Sequence, residues 1–235
     1  MNEMKPPEWA KHLAVFDLET TGIDEREARN VTAYVGELDS SGQVLEGGVS
    51  WLADPVIEIP QTASDVHGIT TEFARANGKA ASEVVEEIIE KLRDLMTQGI
   101  LVVAYNAAYD FTVLHYEAMR HGLTPLDPIL VFDPMVVDKK VDQYRKGKRT
   151  LTMACEHYGI ALDEAHEASA DAIAAGRVGL AVAEKFATAL PSSAAELHKE
   201  QPGWKLAQDE SFAEFMKRSV DPNFVLVTGW PLKNY

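Results

Sequence analysis

Cysteine is nearly missing from this 235-residue sequence, Cys155 being its single occurrence. One thiol offers neither an intrachain disulfide nor a zinc framework, and its setting in LTMACEHYGI (151–160) reads as a buried thiol in a reducing compartment. Long apolar runs are lacking too: none approaches the roughly 18 residues of a membrane span. The opening residues MNEMKPPEWAKH have no apolar signal-peptide core, so a cytoplasmic location and no membrane partner are expected. Basic residues are scarce, 22 Lys and Arg against 37 Asp and Glu, for a formal net charge of −15. Such a chain does not coat nucleic acid by bulk electrostatics. It can still handle a polyanion through divalent cations, whose charge inverts the local field. The rest, 46% hydrophobic and 25% charged, is the composition of a globular protein able to bury a sizeable core.

Taken in order, residues 1–11 read as a loose arm, with Pro6 and Pro7 blocking helix. Segments 12–18, 31–38 and 43–52 read as three strands of an antiparallel meander, the last two joined by Asp39-Ser40-Ser41-Gly42. ASDVHGIT (63–70) reads as a short polar helix or turn. Apolar spacing predicts a helix over 81–97 with Ser82 as its N-cap. ILVVAYN (100–106) and PILVFDP (128–134) read as buried strands, the second stopped by Pro134, and 109–121 as a helix ended by Gly122. Helices are expected over 150–158 and 168–190. Residues 194–218 read as helical but interrupted at Pro202-Gly203, with the apolar run Phe224–Trp230 docking back because its exposure is costly. KKVDQYRKGKR (139–149) carries six Lys or Arg against one Asp, and reads either as a polyanion contact or as a solvated loop.

Three clusters carry chemistry. In VFDLETTG (15–22), Asp17 and Glu19 lie two apart on a strand and project from one face, where their repulsion calls for a cation. AYNAAYDF (104–111) puts Asp110 at a helix start after a buried strand, the place where α/β sheets gather ligands. AHEASADA (165–172) puts His166 at a helix entrance and Asp171 in its first turns. Carboxylate-only coordination suits Mg²⁺ or Mn²⁺ rather than zinc, and an imidazole can take a proton from water at neutral pH.

With FDLETTG (16–22), N-x-x-[FY]-D as NAAYD (106–110) and H-x-x-x-x-D as HEASAD (166–171), the chain resembles the DEDDh branch of the DnaQ-like 3′–5′ exonucleases over about residues 12–188. The sister branch would have Tyr where Glu167 stands. The resemblance implies an α/β, ribonuclease H-like, mixed five-stranded sheet flanked by helices over residues 12–190, with 191–235 as a C-terminal helical extension. It further implies that Asp17, Glu19, Asp110 and Asp171 hold two Mg²⁺ or Mn²⁺ ions and that His166 is the general base. Leu18, Thr20, Thr21, His67, Asn106 and Phe111 would contact substrate, Phe111 by packing on a terminal base. The implied activity is release of nucleoside 5′-monophosphates from 3′ ends of single-stranded or frayed DNA. An RNA-directed exoribonuclease of the RNase T or oligoribonuclease type, or a weakly active accessory module of a polymerase, are the alternatives. A polymerase or repair complex is an implied partner, although no glutamine-led clamp-binding motif follows residue 190.

Overall fold

The computed structural model describes residues 5–162 and 166–235. Strands β1 (His12–Thr20), β2 (Asn30–Asp39) and β3 (Val49–Asp54) form the expected antiparallel meander. Helices α1 (Gln61–His67) and α2 (Thr71–Asn77) lead to a two-residue strand, β4 (Lys79–Ala80), parallel to β3. Then follow α3 (Ala81–Thr97), β5 (Leu101–Val103), α4 (Ala108–Arg120), β6 (Val131–Phe132), α5 (Pro134–Val141), α6 (Leu151–Tyr158), α7 (Ala168–Lys185) and α8 (Ala194–Ser219). The sheet is mixed, in the order β4-β3-β2-β1-β5-β6, with β5 parallel to both β1 and β6. It has six strands rather than five, because β4 adds a short edge too brief to leave a period-2 signature.

Other expectations are corrected locally. Residues 43–48 are not strand; a single bridge from Leu38 to Val44 precedes β3. Ser82 lies inside α3, whose N-cap position is Ala80 without a side-chain bond. Pro134 opens α5 at its first turn, where a missing N–H costs nothing, and Asp133 caps it through bonds from the Met135 and Val136 N–H groups. Pro202 does not interrupt α8. Leu197 and Gln201, on the turn before it, are buried and hold that part of the helix against the domain. The N-terminal arm is anchored too: Trp9 packs edge-on against Phe132 and donates to the Pro191 carbonyl at 3.0 Å.

α8 has a definite job. β6 is an edge strand, and an open edge presents unpaired backbone groups. Gln201, fully buried, accepts from Asp133 N–H at 2.8 Å and donates to Val131 O at 2.8 Å, while His198 Nδ1 accepts from Val131 N–H at 3.0 Å. Of the apolar run after α8, Trp230 is buried, against the same layer as α3 and α4, while Val225 stays 79% exposed.

Alternation along β1 sets the two faces. Ala14, Phe16 and Leu18 pack toward α3 and α4, while Leu13 and Val15 pack toward α7. Asp17 and Glu19 continue the second series, so both carboxylates emerge on the side of α7. That helix approaches the sheet closely through small residues. A Cβ added at Gly176 would lie 2.4 Å from Val15 Cγ1 and 2.5 Å from Leu38 Cδ1. Gly176→Val is therefore expected to destabilise the fold by about 1–3 kcal/mol, seen as a lower urea midpoint with unchanged m-value. Gly203→Ala, in open space on α8, is the control, expected to be neutral or stabilising by up to about 1 kcal/mol. Equal midpoints for the two variants would contradict this packing.

Candidate active site

The site forms where β1 ends. The register with β2 shifts between Glu19 and Thr20, an irregularity of the kind that re-aims side chains. Asp171 lies in the first turn of α7, the helix packed beneath the odd residues of β1. One carboxylate oxygen from each of Asp17, Glu19 and Asp171 lies within 4.8 Å of the others. Asp110, in the first turn of α4 and buried, accepts from Leu18 N–H at 3.2 Å, which fixes it behind the same strand end.

The loop entering α4 is held by Asp133, a residue that local sequence pattern does not mark as part of the site. Asp133, completely buried, accepts from the N–H groups of Asn106 at 3.1 Å and Ala107 at 3.0 Å while also capping α5. Its signal was present: an Asp directly before Pro is a helix N-terminus pattern.

Electrostatically the four acids are uncompensated. Among the described residues, no Lys or Arg forms an ion pair with Asp17, Glu19, Asp110 or Asp171. Burial, then the charges of Asp110, Glu19 and Asp171, push the Asp17 carboxyl well up. Burial, then the charge of Asp171, raises Glu19 from 4.5 to about 8. Burial raises Asp110 against the opposing bond from Leu18, and raises Asp171 against the opposing bond from His166. Asp171 Oδ2 accepts the His166 backbone N–H at 3.3 Å, and its Oδ1 is buried without any partner. Closely grouped, desolvated carboxylate oxygens with no Lys or Arg paired to them among the described residues are the donor set of a hard divalent cation. The residues present therefore fit one.

Around this centre the expected contact residues separate. Leu18 and Thr20 line a pocket of about 270 Å³ with Glu19, Val66 and His67. Thr20 donates to Gly22 O at 2.9 Å. Thr21 is buried and turned to the loop, its hydroxyl accepting from Arg29 N–H at 3.0 Å. Asn106 is exposed at the α4 entrance with a left-handed φ of 64°. Phe111 is not in the pocket. It is 2% exposed and packs edge-on against Phe16 at 5.4 Å, so its expected role against a base is withdrawn. Tyr109 takes that wall instead, its hydroxyl beside that of Thr20 and donating to Gly22 O at 2.5 Å. The helical period explains the exchange: Tyr109 and Phe111 lie about 200° apart on α4. His166, exposed with φ 73°, faces His67 across a second crevice of about 200 Å³. Burial lowers the pKa of His67.

A pH dependence follows. The proton that a raised carboxyl retains in the folded state contributes stability that is complete below its unfolded pKa and lost as pH rises through the folded one. For Glu19 that window runs from 4.5 to about 8. In chelator, Tm is expected to fall across this window, and Mg²⁺ or Mn²⁺ to remove the fall. Asp171→Asn is expected to flatten the slope and raise Tm at the alkaline end, as measured by thermal denaturation. A slope unchanged by that substitution would sink the assignment.

Comparison with known proteins agrees with this geometry. Residues 14–178 match the family described as "RNase_T: Exonuclease". Among curated proteins, the chain is 27% identical over 164 residues to a DNA polymerase III PolC-type of Clostridium perfringens, covering 70% of this chain and 11% of the relative. It is 25% identical over 176 residues to the 3′-5′ exonuclease DinG of Bacillus subtilis, covering 75% and 18%. The chain thus spans between about a tenth and a fifth of these relatives' length. Its fold is similar to that of E. coli Exonuclease I solved with a dA16 oligonucleotide, with TM-score 0.64, 17% identity, and 76% and 42% of the two chains covered. The family match takes in β1, α4 and the start of α7, the three elements that carry the carboxylates, and the chain belongs to the RNase_T exonuclease family, in its DnaQ-like, DEDDh-type form.

Proposed function

We propose that this protein is a metal-dependent 3′–5′ exonuclease that removes nucleoside 5′-monophosphates from single-stranded or frayed DNA ends. The observation that carries the reading is the convergence of Asp17, Glu19 and Asp171 at one strand end, with Asp110 bonded behind it and no Lys or Arg paired to them among the described residues. Two Mg²⁺ or Mn²⁺ ions, when bound there, supply an activated water and a counter-charge for the leaving 3′ oxygen. Asp17, Glu19 and Asp171 present the oxygens that hold them, and Asp110 completes the set from α4. The ring of His166 accepts the proton of the attacking water, its backbone being tied to Asp171 at 3.3 Å. The terminal nucleotide occupies the pocket walled by Leu18, Thr20, His67 and Tyr109. Hydroxyl bonds among Thr20, Tyr109 and Gly22 keep that wall rigid before substrate arrives. DNA rather than RNA is supported by the likeness to a segment of a DNA polymerase and to a nuclease solved with a deoxyoligonucleotide. A place beside a DNA polymerase, in the cytoplasm, fits the same likeness and the free thiol of Cys155.

The test uses single strands labelled at either end. Mononucleotides are expected to appear first from the 3′ end, only with Mg²⁺ or Mn²⁺, and faster from DNA than from a matched RNA. His166→Ala is expected to lower kcat by about 10²–10⁴-fold while keeping the metal-induced rise in Tm. Near-normal turnover by that variant at neutral pH would remove His166 from the role of base. A preference for RNA would overturn the substrate.

A further inference from the structure

The basic stretch 139–149 is the sequence feature that the carboxylate centre leaves unused. In the fold it divides. Arg145 and Arg149 turn inward and share the Asp138 carboxylate, their side chains only 11% and 9% exposed, so they act as internal counter-ions. Lys139 and Lys140 form the last turn of α5. Facing them is α8 from Gly203 onward, which presents Trp204, Phe212 and Phe215. These side chains border a groove of about 600 Å³ whose walls hold four cationic residues and no acidic one. With Arg145 and Arg149 set against Asp138, Lys139 and Lys140 leave the groove positive in a chain of net charge −15.

The details favour a ligand with both charge and flat apolar surface. Lys140 Nζ lies 5.8 Å from the Trp204 ring centroid, and Phe212 and Phe215 are 52% and 47% exposed. The acidic groups facing Lys139 are already engaged: Asp133 with backbone N–H groups and Asp209 with Lys205. Two polar atoms in the groove wall, Arg145 Nε and Gln208 Oε1, are buried without a hydrogen-bond partner. An apolar peptide would cover the aromatics but strip water from both lysines. A polynucleotide satisfies both, with phosphates on the lysines and bases stacked on the rings. The groove and the carboxylate centre share supports. Tyr105 donates to Arg149 O at 2.9 Å beside Asn106, and Asp133, which holds Asn106, caps α5. Lys139 and Lys140 lie about 10 Å along α5 from Asp133 at its start.

We infer that the α5–α8 groove binds single-stranded polynucleotide, holding the strand on the 5′ side of the nucleotide being removed. The direction of that strand rests on the exonuclease reading above; binding itself does not. The full chain is titrated in chelator with a fluorescent deoxyoligonucleotide of about 15 nucleotides, for wild type and for Lys140→Gln and Phe212→Ala/Phe215→Ala. The aromatic pair is expected to weaken binding about 10-fold or more. Lys140→Gln is expected to reduce the slope of log affinity against log salt by about 0.7, a change that altered folding alone would not produce. With Mg²⁺ present, the variants should raise KM for the long strand more than KM for a dinucleotide. Affinity and salt slope equal to wild type in all variants would overturn the inference and leave the groove to a protein segment. Binding without turnover of either substrate would uphold the groove and overturn the exonuclease reading.

Discussion

Repulsion among Asp17, Glu19, Asp110 and Asp171 is the constraint to which the rest of the structure answers. Burial pushes the pKa of each group up, and neighbouring acid charges add to it at Asp17, Glu19 and Asp110, so left to themselves they would protonate or move apart. They are kept together by geometry from three directions. β1 fixes two of them by its period of two. The Gly176 contact brings α7, with Asp171, against β1, and the Leu18 N–H bond holds Asp110 behind it. Each support comes from the chain itself, through strand register, helix packing and a backbone hydrogen bond.

The same logic extends to the loop beyond β1. Glu25, 5% exposed, is held by Lys233 and Tyr235, while the Arg26 guanidinium lies 4.6 Å over the Tyr235 ring. From α4, Arg120 donates to Arg26 O at 2.6 Å and Glu117 accepts from Asn30 N–H at 3.1 Å. Lys233 N–H also reaches the Thr112 hydroxyl of α4 at 3.0 Å. The chain after α8 thereby ties the loop that follows β1 to the helix that carries Asp110. α8 itself closes the β6 edge through His198 and Gln201. Residues that looked like an appendage are part of the frame around the site.

Much of this was legible in the residues. The i, i+2 spacing of Asp17 and Glu19, the helix starts at Asp110 and Asp171, and the meander all follow from local periodicity. What escaped depends on tertiary contact. β5 and β6 are three and two residues long, because α/β pairing needs only the stretch that meets a neighbour, whereas the apolar runs around them are longer. Phe111 and Tyr109 exchange roles because a helix turns its faces with a phase that an aromatic pair in isolation does not reveal. Asp133 was hidden by Pro134, read as an end when it was a beginning. Arg145 and Arg149 looked like surface charge because Asp138, their partner, lies on another turn of chain.

The most direct measurement counts Mn²⁺ bound by the metal-free protein at neutral pH, by titration with calorimetry in buffers of different ionisation enthalpy. Two ions per chain are expected, with proton release on binding because Glu19 is displaced from a pKa of about 8. Asp17→Asn should abolish both. Saturable binding with the same stoichiometry and proton release in Asp17→Asn, or no binding by the wild-type chain, would contradict a carboxylate cage at the end of β1.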